Sequence, residues 1–275
     1  MQETAEKIVL AAQGRMGALL AEHLRGEGFT VEIIDWRQGK ADVRLPEAAA
    51  LVICALRLKF PGRKLSEALL FFPPRSAQAA RNSGIAKIVY LVPQVRGLAD
   101  DAGAALRSSI VLMRQSFNAT VVSCGFLWGA GGAVEGLRIG PAVVVPGQGW
   151  GEVSPILPKD LAGAVTALLR SKPDGEPAGK NGVCAVASTN EAIPLADLIE
   201  LMRGGRLRLH VPVSLLRSAA AFIGNSLEER ALFSGGSLVV ANNDIERLIS
   251  RKPLSLSELA RGKAPAWLAN LASSP

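Results

Sequence analysis

Two rhythms of apolar and polar positions alternate along the first part of the chain. Short apolar runs recur at Ile8–Leu10, Val31–Ile34, Ala50–Leu56, Ala86–Val92 and Ala119–Cys124. Between them apolar residues return every three or four positions, as in Met16, Leu19, Leu20 and Leu24. The first rhythm predicts strands and the second helices. Ala50–Leu56 is apolar throughout, as a strand buried on both faces requires. Gly62–Asn82 reads as helical at both ends but carries Pro73 and Pro74 in its middle, which predicts two helices or a sharp bend. Arg37–Pro46 is polar, with a brief strand expected at Asp42–Leu45, and Leu98–Ser116 is a long helical pattern. Strands alternating with helices predict an α/β fold built on a doubly wound parallel sheet.

After residue 124 the rhythm breaks. Gly125–Gly151 is glycine-rich with a short strand at Ala142–Val145, and Val153–Leu157 reads as one extended piece. Asp160–Arg170 is an amphipathic helix with Asp160 placed to cap it. Ser171–Asn181 reads as a linker, Val183–Ala187 as a strand and Leu195–Met202 as a helix started by Pro194. Arg206–Val211 reads as a strand, and Val213–Ile223, Asp244–Ser250 and Leu256–Leu271 as helices. This pattern divides the chain into a larger α/β part, 1–170, and a smaller mixed α/β lobe, 171–275, or joins both in one continuous unit.

The first unit has a more specific content. Ile8–Leu10 leads into Ala11-Ala12-Gln13-Gly14-Arg15-Met16-Gly17, then a helix, then a strand that closes on Asp35. Strand, glycine turn, helix, strand and acid form the plan of a dinucleotide-binding βαβ unit. The turn lets the backbone approach a pyrophosphate, whose charge sits at the helix N-terminus. Asp35, 18 residues after Gly17, is placed to accept the ribose hydroxyls of adenosine. One expected glycine is an alanine, Ala11 or Ala12 according to the register chosen. The added methyl is tolerated where φ stays negative and narrows the approach to phosphate. The candidate cofactor-binding residues are Ala11, Gln13, Gly14, Arg15, Met16, Gly17, Asp35, Trp36 and Arg37. Asp35 favours NAD, because a carboxylate repels a 2′-phosphate. Arg15 and Arg37 favour NADP, because either can pair with that phosphate.

Composition narrows the partners. No apolar run reaches the ~20 residues of a membrane span, and the polar N-terminus MQETAEK does not read as a signal peptide. These features predict a cytoplasmic protein. Cys54, Cys124 and Cys184 lie far apart in strand-like runs, so buried thiols are expected. His23 and His210 have no ligand-spaced neighbours, so no metal site is expected. The net charge of +7 is concentrated in residues 51–120, which hold ten basic and three acidic side chains. That segment faces an anionic partner or is a solvated surface. With aromatic residues at 5%, stacking platforms for nucleic acid are scarce.

Four landmarks in order resemble the extended or atypical branch of the short-chain dehydrogenase/reductase superfamily, the NAD-dependent epimerase/dehydratase-like proteins. They are the turn Ala11–Gly17, AKIVYLV at 86–92, TVVSCGFLWGAGG at 120–132 and VSPILPKDLAGAVTALL at 153–169. The resemblance covers about residues 6–271 and implies a Rossmann-like fold with a smaller C-terminal substrate lobe. It also implies a Tyr-x-x-x-Lys acid/base pair, which this chain cannot form. Its single tyrosine, Tyr90, is followed four positions on by Gln94 and reads as structural. Arg107 falls near the place of the lysine and is a poor proton relay, because it does not deprotonate. Gln94 stands after the fifth strand of the family pattern, and Ser123-Cys124 replaces its Arg-Pro. Gln94, Arg107 and Ser123 are the remaining catalytic candidates.

Two functions follow. One is an atypical NAD(P)-dependent oxidoreductase or epimerase acting on a small-molecule or nucleotide-linked substrate, or a catalytically degenerate relative of one. The other is a non-catalytic dinucleotide-binding assembly or regulatory subunit. A homodimer or protein partner through Leu98–Ser116, with Ile110, Leu112 and Met113 facing out, is a further expectation.

Overall fold

The computed structural model describes residues 5–35, 45–56, 65–94, 101–128, 138–139, 142–149, 151–171, 182–203, 207–212, 214–215 and 238–260. Trp36, Arg37, the strand expected at 42–44 and most of the helices expected at 213–223 and 256–271 lie outside these residues.

The first half winds as the apolar rhythm predicts. β1 (Lys7–Ala11) leads through α1 (Gly14–Gly26) to β2 (Thr30–Ile34). β3 (Ala50–Cys54), α2 (Leu65–Asn82), β4 (Lys87–Pro93), α3 (Asp101–Phe117) and β5 (Thr120–Cys124) follow. β6 (Phe126–Leu127), β7 (Arg138–Ile139) and β8 (Ala142–Pro146) lie in the glycine-rich region. The run at 153–157 is not one strand but two short ones, β9 (Glu152–Val153) and β10 (Pro155–Ile156), which pair with different partners. α4 (Pro158–Arg170), β11 (Val183–Val186), β12 (Ile193–Pro194), α5 (Leu195–Arg203), β13 (Leu207–Val211), α6 (Ile245–Ile249) and α7 (Leu256–Ala260) complete the described elements.

One six-stranded sheet runs β11-β5-β4-β3-β1-β2, and every pairing in it is parallel. β1 pairs with β2 on one side and β3 on the other. The winding therefore reverses at β1, the point beyond whose strand C-termini open α/β sheets bind ligands. β11 closes the sheet beside β5, with Val183 opposite Val121 and Val186 opposite Cys124. A small sheet, β13-β8-β7, stands apart.

Alternation along each strand splits the core in two. Val9, Leu51, Ile53, Ile88, Tyr90 and Val121 face Leu69 and Phe72 of α2 and Leu106 and Met113 of α3. Ile8, Leu10, Val52, Leu91 and Val122 face Met16, Leu20 and Leu24 of α1 and Leu161, Val165 and Leu168 of α4. All three cysteines are buried thiols, and all three belong to this second layer. Burial pushes the Cys124 thiol well up and raises that of Cys184 to about 12.

Three expectations need correction. Of the two outcomes expected for Pro73 and Pro74, the break into two helices does not occur: Leu65–Asn82 is one helix with both prolines inside it. The prolines remove the donors that would meet the carbonyls of Leu69 and Leu70. The apolar face of Ala68, Leu69, Phe72, Ala77 and Ala80 nevertheless packs continuously on the core, and that burial outweighs the local loss. Arg75 adds a cation–π contact, 3.9 Å above the ring of Phe71. Asp160 does not cap α4. Leu157 is the N-cap residue, Pro158 takes the first turn, and Asp160 is nearly sealed one step further in. Its Oδ2 accepts from Ser188 Oγ and from Arg251 Nη2, both at 2.5 Å. Met113 is fully buried in the core rather than facing out, whereas Leu112 and Val111 beside it are exposed.

Lys87 at the start of β4 donates from Nζ to the carbonyls of Leu169 and Ser171 at the end of α4. Gly125 follows β5 where a side chain has no room. A Cβ there would lie 2.3 Å from the carbonyl oxygen of Ser154, a backbone atom that cannot swing away.

Two outcomes are expected. Gly125→Ala lowers unfolding stability by about 3 kcal/mol, measured by urea denaturation; a loss below about 1 kcal/mol would contradict the packing. Stability also falls as pH rises from 9 toward 12, because the unfolded chain releases the Cys184 proton before the folded one does. Thermal melts across that range should show a shallower fall in Cys184→Ala.

Candidate functional site

The switch point at β1 is built around the glycine turn. Ala11 ends β1 opposite Ile34 of β2 and Ile53 of β3. Ala12 continues the ladder, its N–H donating to the Ile34 carbonyl at 3.3 Å. Asp35 comes next after Ile34, half-buried, and so stands beside the turn. Gln13 is the N-cap residue of α1 in extended conformation, and no side chain caps the helix. Its first turn holds no acid, so no carboxylate of α1 itself offsets the positive end of the helix dipole.

The two glycines of the turn serve different ends. Gly14 has φ +60, and a Cβ on it would meet nothing within 4 Å. Its requirement is conformational, and no other described residue crowds it. Gly17 has no such φ, but a Cβ there would lie 2.8 Å from the Cβ of Ala12. Its requirement is close packing of helix on strand. This geometry also locates the methyl that replaces a glycine. Ala12 is almost fully buried and turns its methyl into the α1 contact. The methyl thus lies between strand and helix. Met16 and Ala11 place their side chains in the core, so only their backbone borders the turn, while Arg15 is exposed at the helix start.

The catalytic candidates fall into two places. Gln94 follows the last residue of β4, Ser123 is the penultimate residue of β5, and both are buried. Ser123 Oγ donates to Gln94 Oε1 at 2.6 Å, and Gln94 Nε2 donates to the carbonyl of Val239 at 3.1 Å. The Gln94 backbone N–H is bound to the Cys124 carbonyl at 2.8 Å. Arg107 stands apart from them, exposed on α3. Tyr90 is fully buried, its hydroxyl 2.9 Å from Ser109 Oγ, and desolvation holds its pKa far above the ordinary phenol value. Tyr90 is thus a core residue, as its place in a strand predicts. Among the described residues no three His, Cys, Asp or Glu side chains converge on a metal site.

Two arrangements escaped the sequence reading. The Asp160–Ser188–Arg251 cluster joins α4 to two later loops. Its only sequence signal was an acid early in an apolar helix, which reads equally as a cap. The contact of Gln94 with Val239 goes to a backbone carbonyl, which leaves no side-chain signature.

No family model matches the chain, and no curated protein does. Solved structures do. The fold is similar to MoeE5 in complex with UDP-glucose and NAD, with TM-score 0.67, 13% identity and coverage of 98% of this chain and 100% of that one. It is similar to the human epimerase family protein SDR39U1 (isoform 2) with NADPH, at TM-score 0.61, 18% identity and 93% and 99% coverage. It is similar also to a nucleoside-diphosphate-sugar epimerase from Staphylococcus aureus, at TM-score 0.62, 14% identity and 94% and 100% coverage. The likeness is one of fold: the doubly wound parallel sheet expected from the sequence is present here with six strands, in a fold that these proteins share.

The Ala12–Gly17 contact predicts a coupled pair. Gly17→Ala should destabilise the protein by about 2 kcal/mol, and adding Ala12→Gly should restore more than half of that. Additive losses in urea denaturation would show that the two positions do not share the space.

Proposed function

We infer that this chain is an NAD(P)-binding protein of the epimerase/dehydratase-like type whose usual acid/base machinery has been replaced by structural hydrogen bonds. The observation that carries the reading is the α1 turn at the switch point. It combines a φ-positive Gly14 that no other described residue crowds, an uncapped helix start without acids, and Asp35 beside it. These residues fit the pyrophosphate and adenosine ribose of a dinucleotide. The similar folds solved with NAD or NADPH support the same ligand class. When bound, such a cofactor supplies hydride chemistry. This chain's own residues would hold its phosphates on the α1 amides and its ribose on Asp35. Arg15 lies close enough in sequence to the turn to favour a 2′-phosphate, so NAD and NADP both remain within the reading.

The candidates for proton transfer support a non-catalytic or degenerate role. Gln94 does not titrate, Ser123 donates to it, Arg107 stays charged, and Tyr90 is sealed against Ser109. An assembly or regulatory subunit that keeps the dinucleotide as a ligand is therefore favoured over an oxidoreductase. We assign the nucleotide to residues 1–170, and a nucleotide-linked substrate or protein partner to the lobe at 171–275. No helix among the described residues is long and apolar enough to cross a membrane. Three buried thiols outside any disulfide agree with a reducing, cytoplasmic setting.

Thermal melts and tryptophan fluorescence with NADH and NADPH test the reading. At a hundredfold excess over Kd, the preferred nucleotide should add about 2.7 kcal/mol of stability. Asp35→Ala should weaken NADH about tenfold, the loss expected for hydrogen bonds to a charged acceptor. If neither nucleotide raises the melting temperature, the cofactor is excluded and the turn is a strand-to-helix joint alone.

A further inference from the structure

The polar pair at the ends of β4 and β5 holds a distant part of the chain. Gln94 uses both ends of its carboxamide, taking a hydrogen bond from Ser123 on Oε1 and giving one to the Val239 carbonyl from Nε2. Val239 lies 145 residues further along, in a short extended piece at 238–240. That piece is fastened independently to the segment that begins with β9. Leu238 N–H donates to the Glu152 carbonyl at 2.7 Å, and Ser154 N–H donates to the Leu238 carbonyl at 3.2 Å. Val240 N–H donates to Ser154 Oγ at 3.1 Å. Leu238 and Val240 are both buried and anchor the piece on either side of Val239. Residues 238–240 therefore form a strap, and Gln94 ties it to the C-terminal edge of the sheet.

Sheet order decides what the strap would meet. From the reversal at β1, Asp35 and β2 lie to one side, and β3, β4 and β5 to the other. A dinucleotide crosses such a switch point with its pyrophosphate at the helix start. With the adenosine ribose on Asp35, its second nucleoside must run toward β4 and β5. There stands a buried glutamine whose Oε1 accepts from Ser123 and whose Nε2 donates to the Val239 carbonyl. Separating that amide from its partners costs the desolvation of each group left unpaired.

We propose that the strap at 238–240, clasped by Gln94 and Ser123, occupies the place of the nicotinamide ring, so that the site takes the ADP-ribose part of a dinucleotide. This rests on the nucleotide reading of the α1 turn. The ligand class that follows is ADP-ribose and similar adenosine diphosphates, with the nicotinamide of any bound NADH left outside the site. Loosening the clasp opens the place of the ring.

ADP-ribose and NADH differ by the nicotinamide, so their affinities for the full chain are the test. Calorimetry on the unmodified protein should give Kd values within about twofold of each other. Gln94→Met keeps the bulk and removes the hydrogen bonds. In it the amides of residues 238 and 240 should exchange with deuterium faster, and NADH should gain about tenfold over ADP-ribose. Ser123→Ala, read in the same two ways, serves if Gln94→Met does not fold. NADH binding tenfold or more tighter than ADP-ribose in the unmodified protein would overturn the proposal and leave the nucleotide reading standing. An unchanged ratio in the variant despite faster exchange would overturn it as well. Binding of neither ligand would remove the nucleotide reading and this proposal together.

Discussion

A parallel sheet with helices on both faces has no wet side, and most of this molecule follows from that constraint. β3 is buried at every position, and β4 at all but its two ends. Polar side chains cannot lie along such strands without partners, so they collect where the strands stop. Asp35 follows β2, Gln94 follows β4, and Ser123 stands at the last step but one of β5. Within β4 the exception is the Tyr90 hydroxyl, and it carries its partner with it in Ser109. The edge formed by the strand ends is thus the part of the sheet where chemistry can be placed.

That edge is used unevenly. Near β1 stand a glycine at positive φ and a helix whose N-cap residue makes no side-chain cap hydrogen bond. Near β4 and β5 the edge is filled with hydrogen bonds between distant segments. Asp160, Ser188 and Arg251 show the same habit a short way off: a buried carboxylate satisfied by groups from two later loops. Polar groups inside this protein chiefly join parts of one chain to each other.

Periodicity made the first half legible, because burial on two faces imposes it directly. The strands at Ala50–Cys54 and Thr120–Cys124 fall inside the apolar runs that predicted them. The errors came where a local rule met a tertiary force. Pro73 and Pro74 weaken a helix locally, yet the apolar stripe from Ala68 to Ala80 keeps α2 whole. Asp160 looks like a cap by position, but a proline-started helix shifted the boundary and left the carboxylate inside. The glycine turn could be read for its ligand class, whereas the inward turn of the Ala12 methyl needed coordinates. Contacts that end on main-chain carbonyls, such as Gln94 with Val239, have no residue type to announce them.

The position of β11 bears on how the protein is made. It is the outermost strand beside β5, yet it comes from residues 183–186, after α4 and the connection that follows it. Until those residues leave the ribosome, β5 presents an edge of main-chain groups without their β11 partners, the kind of edge to which foreign strands can add. The strap at 238–240 comes later still. Pairings of such long sequence separation are slow to form. The nascent chain therefore passes through a stage in which the sheet is largely assembled but open at one side, and that stage is where chaperones would act on it.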